Sequence, residues 1–248
     1  MRKFVVVSQQ RAGSHMMMNM LSSHPSVHCN SDLLTKEVRA HGAEWAFAEG
    51  FRLPPRYPER SPLPKTKQPE SVGFLIKIKQ DLHQQIHELK DLKVILLHRK
   101  NRLATLLSKK VSYQLGTYAD PKRRVSLEEA ALRRAKMPPL RIETEEAESF
   151  FEEWSAKTEE VIRCLEGTDW LQVIYEEVRR DPEKTMRVVY RHLGVPFHPI
   201  QSRPGWGAEK LDPRPIREAI ENYEELKEKF LGSRWEEFFI EERAGGFG

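Results

Sequence analysis

The sequence predicts an α/β fold: a P-loop-like three-layer domain whose central parallel sheet of about four to five strands is flanked by helices. Three observations predict it. Short runs that are apolar on both faces, 4–7 and 92–97, suit strands buried inside a parallel sheet. Helical stretches alternate with such runs, as parallel strands require for their crossovers. The first run passes through a small polar loop carrying Arg11, Gly13 and Ser14 directly into a helix, a turn that offers backbone N–H groups, a hydroxyl and a cation to an anion.

Composition narrows the class. The chain has 248 residues, 39% hydrophobic and 31% charged, which suits one domain over 1–248. Its 41 Lys and Arg against 37 Asp and Glu leave a formal charge of only +4. That argues against a nucleic-acid partner while allowing a local basic pocket. No apolar run approaches the roughly 20 residues of a membrane span, and the sequence opens on a strand rather than a signal peptide. Cys29 and Cys164 form no disulfide framework. A cytoplasmic protein without membrane insertion is expected.

The elements follow in order. Residues 4–7 read as a central strand, and Gly13 permits a tight turn into a helix over 12–22, stopped by His24-Pro25. Met16, Met17, Met18 and Met20 are core positions of that helix. A short strand over 27–29 precedes a loop with Asp32, and 35–48 looks helical. Six prolines make 51–70 irregular. A strand over 72–79, a helix over 81–89, the buried strand 92–97 and a helix over 102–115 come next. The stretch 119–139 is basic, and 143–165 is a long amphipathic helix. A strand over 170–174 follows, then a helix capped by Asp181-Pro182 and ended by Gly194. A final helix is expected over 216–230.

Two constellations bear on chemistry. The opening loop lacks the lysine that follows the second glycine of a Walker A loop, because Gly13 is followed by Ser14 and His15. Ordinary ATP or GTP phosphotransfer is therefore disfavoured. At the end of the strand 92–97 stand Arg99 and Lys100, with Ser108 two turns along the next helix. A cation at a strand's carboxyl end and a hydroxyl on the following helix can hold a second phosphate. His83 and His87 have i, i+4 spacing but lack a zincin glutamate and a third ligand, so no metal is expected.

In this order the motifs resemble the PAPS-dependent sulfotransferases, closest to the bacterial branch that includes nodulation-factor and trehalose sulfotransferases. The resemblance rests on Arg11-Ala12-Gly13-Ser14-His15 with His24-Pro25, on Arg99 and Ser108, and on Tyr175-Glu176-Glu177-Val178 with Asp181-Pro182. Asp212-Pro213-Arg214-Pro215 before Asn222-Tyr223 extends it over most of the chain. It implies that Arg11, Ala12, Gly13, Ser14 and His15 cradle the 5′-phosphosulfate of PAPS, and that Arg99 and Ser108 hold its 3′-phosphate. His15 and Ala12 stand where Thr and Ser are usual. Lys100, eight residues before Ser108, holds the spacing that relatives give to the arginine.

The implied reaction moves a sulfuryl group from PAPS to a hydroxyl or amine of a small-molecule or carbohydrate acceptor, releasing 3′,5′-ADP. Arg11 is assigned to the charge that builds up in the transition state. Asp32, in the loop where bacterial relatives carry a Glu, is assigned as base. Lys77 and Lys79 lie at the strand end where animal relatives have Lys-x-His, and Lys79 is taken as a catalytic contact. Lys210 is placed as a nucleotide contact from the carboxyl-terminal loop. Residues 35–70 and 112–145 are expected to shape the acceptor pocket, and a homodimer is left open. The alternatives are a P-loop-like small-molecule kinase and a non-catalytic nucleotide-binding protein.

Overall fold

The structure is a computed structural model that describes residues 1–30, 35–53, 68–78, 82–89, 91–116, 127–200 and 214–240. In chain order the elements are β1 (Arg2–Ser8), α1 (Ser14–Ser23), β2 (Val27–Asn30), α2 (Thr35–Gly50), β3 (Ser71–Lys77), a 3-10 turn (Leu82–Glu88), β4 (Leu92–His98), α3 (Arg102–Gln114), α4 (Leu127–Ala135), α5 (Thr144–Leu165), β5 (Asp169–Ile174), α6 (Tyr175–Arg180), α7 (Pro182–Leu193), α8 (Ile216–Ala219), α9 (Tyr223–Phe230) and a closing 3-10 turn (Glu236–Phe239). The chain divides into two compact units, Met1–Arg99 with Lys157–Ala208, and Lys100–Ala156 with Glu209–Gly248.

The first unit holds a five-stranded sheet in the order β2-β3-β1-β4-β5, with every neighbouring pair parallel. β1 is central, and residues 4–8 are fully buried on both faces. Alternation sends Phe4, Val6, Leu75, Ile95 and Leu97 to one face, where α1 packs through Met16, Met17 and Leu21, and α7 through Met186, Val189 and Tyr190. Val5, Val7, Phe74, Ile76, Val94 and Leu96 take the other face, against Ala46 and Phe47 of α2 and Val161 and Leu165 of α5. Each such side chain contributes about 1.5–3 kcal/mol by leaving water. This is the three-layer arrangement that the two-sided apolar runs predict.

The second unit packs α3, the first turns of α5, α8, α9 and the closing turn around Leu107, Phe151, Leu226, Trp235 and Phe238. Its floor is aromatic: Phe151 meets Phe238 edge to face with ring centroids 5.0 Å apart.

Several elements differ from the sequence expectation: among them, α4 forms within the basic stretch 119–139, and the helix expected over 35–48 is interrupted at Gly42. Residues 82–88 form a 3-10 turn rather than an α-helix. The helix expected over 216–230 is broken into α8 and α9, because Ile220 bridges Leu140 and the Asn222 amide donates to Ile142 O at 2.9 Å and accepts from Ile142 N at 3.1 Å. Those bonds take the backbone out of helical pairing. A short helix, α6, occupies 175–180, where a plain connection was expected. The expected acceptor-side stretches 35–70 and 112–145 fall partly outside the described residues.

Candidate active site

The carboxyl ends of β1 and β3 are in register, with Ser8 beside Lys77, and the loop after β1 rises from that edge. Arg11 has φ 63°, a left-handed backbone that a non-glycine residue adopts only when its surroundings hold it there. Gly13 follows at φ 83° and ψ 21° as the cap of α1. Gly13 has no side chain with which to cap that helix, and the first turn contains no acidic residue. The positive end of the α1 dipole thus opens onto this loop without a local carboxylate in its first turn.

Lys77 reaches this loop from below. Its parity on β3 matches Leu75, which faces α1, and its Nζ donates to Ser14 Oγ. The side chain is only 7% exposed. Burying an ammonium is costly unless acceptors or anions surround it, and Ser14 fixes this one at the foot of the loop. A lysine thus stands at this loop from the neighbouring strand rather than from the loop sequence.

The far end of α1 is fixed equally firmly. His24 is buried; its Nδ1 accepts from Ser26 N at 3.0 Å, so Nε2 carries the proton and donates to Pro196 O at 2.8 Å. Tyr190 Oη donates to Met20 O at 2.9 Å. Gln9, at the root of the loop, donates to Thr158 Oγ1 at 2.8 Å.

A second cation stands two strands away in the sequence of the sheet. Arg99 follows β4, with its guanidinium carbon 4.7 Å from the centroid of the Tyr175 ring. Its Nε lies 4.0 Å from Glu176 Oε1, and the two side chains are 13% and 12% exposed. Tyr175 also packs on Gly13, where an added Cβ would run into its ring. One aromatic ring therefore touches both the glycine of the loop and the arginine of β4.

The structure brings Arg11, Gly13, Ser14, Lys77 and Arg99 to one unit. Ala12 is wholly buried, so only its backbone can serve a ligand, and His15 is exposed in the first turn of α1. Lys100 and Ser108 belong to the second unit, Lys100 exposed and Ser108 half-buried on α3. There Asn101 caps α3 by accepting from Ala104 N at 2.8 Å. Asp32, Lys79 and Lys210 lie outside the described residues, as do the His83 and His87 side chains. Among the described residues no cluster of three or more His, Cys, Asp or Glu is arranged for a metal ion, and no helix is long and apolar enough to cross a membrane.

Sequence reasoning named both Lys77 and Lys79 and took Lys79 as the catalytic contact; Lys77 lies at the loop, while Lys79 is outside the described residues. It used Tyr175-Glu176 as part of the resemblance and gave the pair no role of its own. The signal for Lys77 was its parity with Leu75. Nothing local signalled that Tyr175 would close over Gly13, because that contact joins residues far apart in sequence.

Residues 1–212 match the model of the sulfotransferase domain family. Nodulation protein H of Rhizobium meliloti is 24% identical over 244 residues, covering 96% of this chain and 95% of that protein. Nodulation protein H of Rhizobium tropici is 23% identical over 250 residues, covering 95% and 92%. The solved sulfotransferase from Alicyclobacillus acidocaldarius superposes with a TM-score of 0.50 at 15% identity, covering 98% of this chain and 97% of that one, a likeness of fold.

Proposed function

Since the chain belongs to the sulfotransferase domain family, we propose that it carries a sulfuryl group from PAPS to a hydroxyl or amine of a small-molecule or carbohydrate acceptor and releases 3′,5′-ADP. The observation that carries this reading is the buried Lys77 bound to Ser14 at the uncapped start of α1. It sets a cation, a hydroxyl and a helix N-terminus beside Arg11, a combination suited to an anion with several oxygens.

The donor's sulfur is attacked by the acceptor atom as the bond to the leaving phosphate breaks. Arg11 and Lys77 stabilise the charge that develops on the sulfuryl oxygens and the departing phosphate, in a site whose groups are already oriented. The amide N–H groups following Gly13 hold the 5′ end. Arg99 receives the 3′-phosphate, and Lys100 and Ser108 keep the candidate role that the resemblance gives them. Asp32 takes the acceptor's proton, and Lys79 and Lys210 are retained as further contacts at the sulfuryl group and the nucleotide. His15 is assigned to the 5′ loop through its backbone.

Isothermal titration with 3′,5′-ADP, with ATP–Mg as competitor, tests the donor. Saturable binding of 3′,5′-ADP that ATP–Mg fails to displace is expected. Displacement by ATP–Mg, with no transfer from labelled PAPS to any acceptor in a hydroxyl and amine panel, would return the reading to a kinase.

A further inference from the structure

We propose that Tyr175 and Glu176 act as one positioning device, tying the loop that grips the 5′ end of the nucleotide to the arginine that grips its 3′-phosphate. The inference rests on the PAPS reading above and concerns how the two grips are coupled.

The two residues open α6 directly after β5, with Ile174 still extended, so their backbone is anchored to the sheet. Tyr175 presents its ring edge to Gly13 and its face to the Arg99 guanidinium. Glu176 approaches Arg99 through Nε. In a planar guanidinium the Nη1–Nη2 edge lies on the opposite side from Nε, and that edge makes two-pronged bonds to a phosphate. The ring against the group constrains its plane, and the carboxylate 4.0 Å from Nε biases its direction by charge rather than by a hydrogen bond. An arginine held in this way loses less rotamer freedom when the phosphate arrives.

The same ring constrains Gly13, whose left-handed backbone sets the direction of the first N–H groups of α1. Movement of Tyr175 would disturb both grips together. Glu176 bears on the arginine through its charge, so its loss would act first on the 3′ grip.

The test compares 5′-AMP with 3′,5′-ADP by titration calorimetry, since the ratio of their affinities isolates the 3′-phosphate. In Glu176→Gln the ratio is expected to fall about tenfold while 5′-AMP affinity stays at the wild-type value. Tyr175→Leu is expected to weaken both nucleotides and to lower the ratio, and Tyr175→Phe, which keeps the ring, to restore both. Circular dichroism checks folding. If Glu176→Gln does not fold, the Tyr175 pair decides. A wild-type ratio in both Glu176→Gln and Tyr175→Leu overturns the inference and leaves the donor reading standing. A wild-type protein that binds neither nucleotide overturns both.

Discussion

At Gly13 two constraints coincide, a φ of 83° and the Tyr175 ring pressed against the Cα. An alanine there meets a left-handed backbone, worth about 1–2 kcal/mol, and a side chain that must move. Gly13→Ala is therefore expected to lower the urea midpoint and to abolish 3′,5′-ADP binding, measured on the same preparation. At Lys77 the prediction is different. Lys77→Met keeps the aliphatic stem packed beside Leu75 and removes only the charge, so the protein should fold. Its kcat for sulfuryl transfer is expected to fall about a hundredfold, the usual loss for one oriented electrostatic group. Lys79→Met is the rival experiment: the larger loss identifies which lysine serves the reacting group. The turn itself was legible because a glycine between an apolar strand and a helix permits the left-handed backbone that Gly13 adopts. Lys77 was half legible, since alternation gives its face but not its partner.

The elements show why strands and caps read well and breaks do not. Runs such as residues 94–97 are apolar on both faces, and only a strand covered on both sides satisfies that pattern. Asp181 was visible as a cap because Pro182 follows it, and its side chain accepts from Lys184 N at 2.9 Å. Asp181→Ala is expected to cost about 1 kcal/mol in urea unfolding and to leave transfer unchanged. The break between α8 and α9 was not visible, because it depends on Asn222 pairing with Ile142, 80 positions away. Asn222→Ala leaves a buried N–H and C=O of Ile142 without that partner, an expected loss of about 2–3 kcal/mol. The periodicity of 216–230 is helical on either side of the break, so local pattern favoured one helix. The 3-10 turn at Leu82–Glu88 has the same origin, since it is a departure in hydrogen bonding rather than in which positions are apolar.

At the scale of the whole sheet, the proposed ligand site and a titrating network among the described residues lie at opposite strand ends. Lys93 and Asp169 pair at 2.5 Å at the amino ends of β4 and β5, with His192 Nδ1 3.5 Å from Asp169 and His192 Nε2 bonded to Val94 O at 3.1 Å. Burial lowers the His192 pKa below its usual value, against the opposing pull of Asp169, and Lys93 adds to the lowering. The unfolded chain therefore takes up a proton at His192 before the folded one does, so stability rises with pH through this window and is lost as pH falls from about 6.5. The hydrogen bond from Lys93, with Coulomb attraction to His192 and Lys93, lowers the Asp169 pKa, so its contribution is present above the ordinary carboxylate range and is lost at more acid pH. His192→Gln, which keeps a donor for Val94 O, should flatten the fall in melting temperature between pH 7.5 and 5.5. The proposed nucleotide contacts lie at the carboxyl end of the sheet, and the one after β4 is roughly 20 Å away at about 3.3 Å per residue. A ligand that binds only the folded state raises stability by mass action, and sites this far apart with no shared partner are expected to act additively. The rise in melting temperature caused by saturating 3′,5′-ADP should consequently be the same in wild type and His192→Gln at each pH. Comparing the two proteins at equal pH cancels any change in the nucleotide's own ionisation. An increment that differed between them would mean that the amino-end network reaches the phosphate grips through the strands.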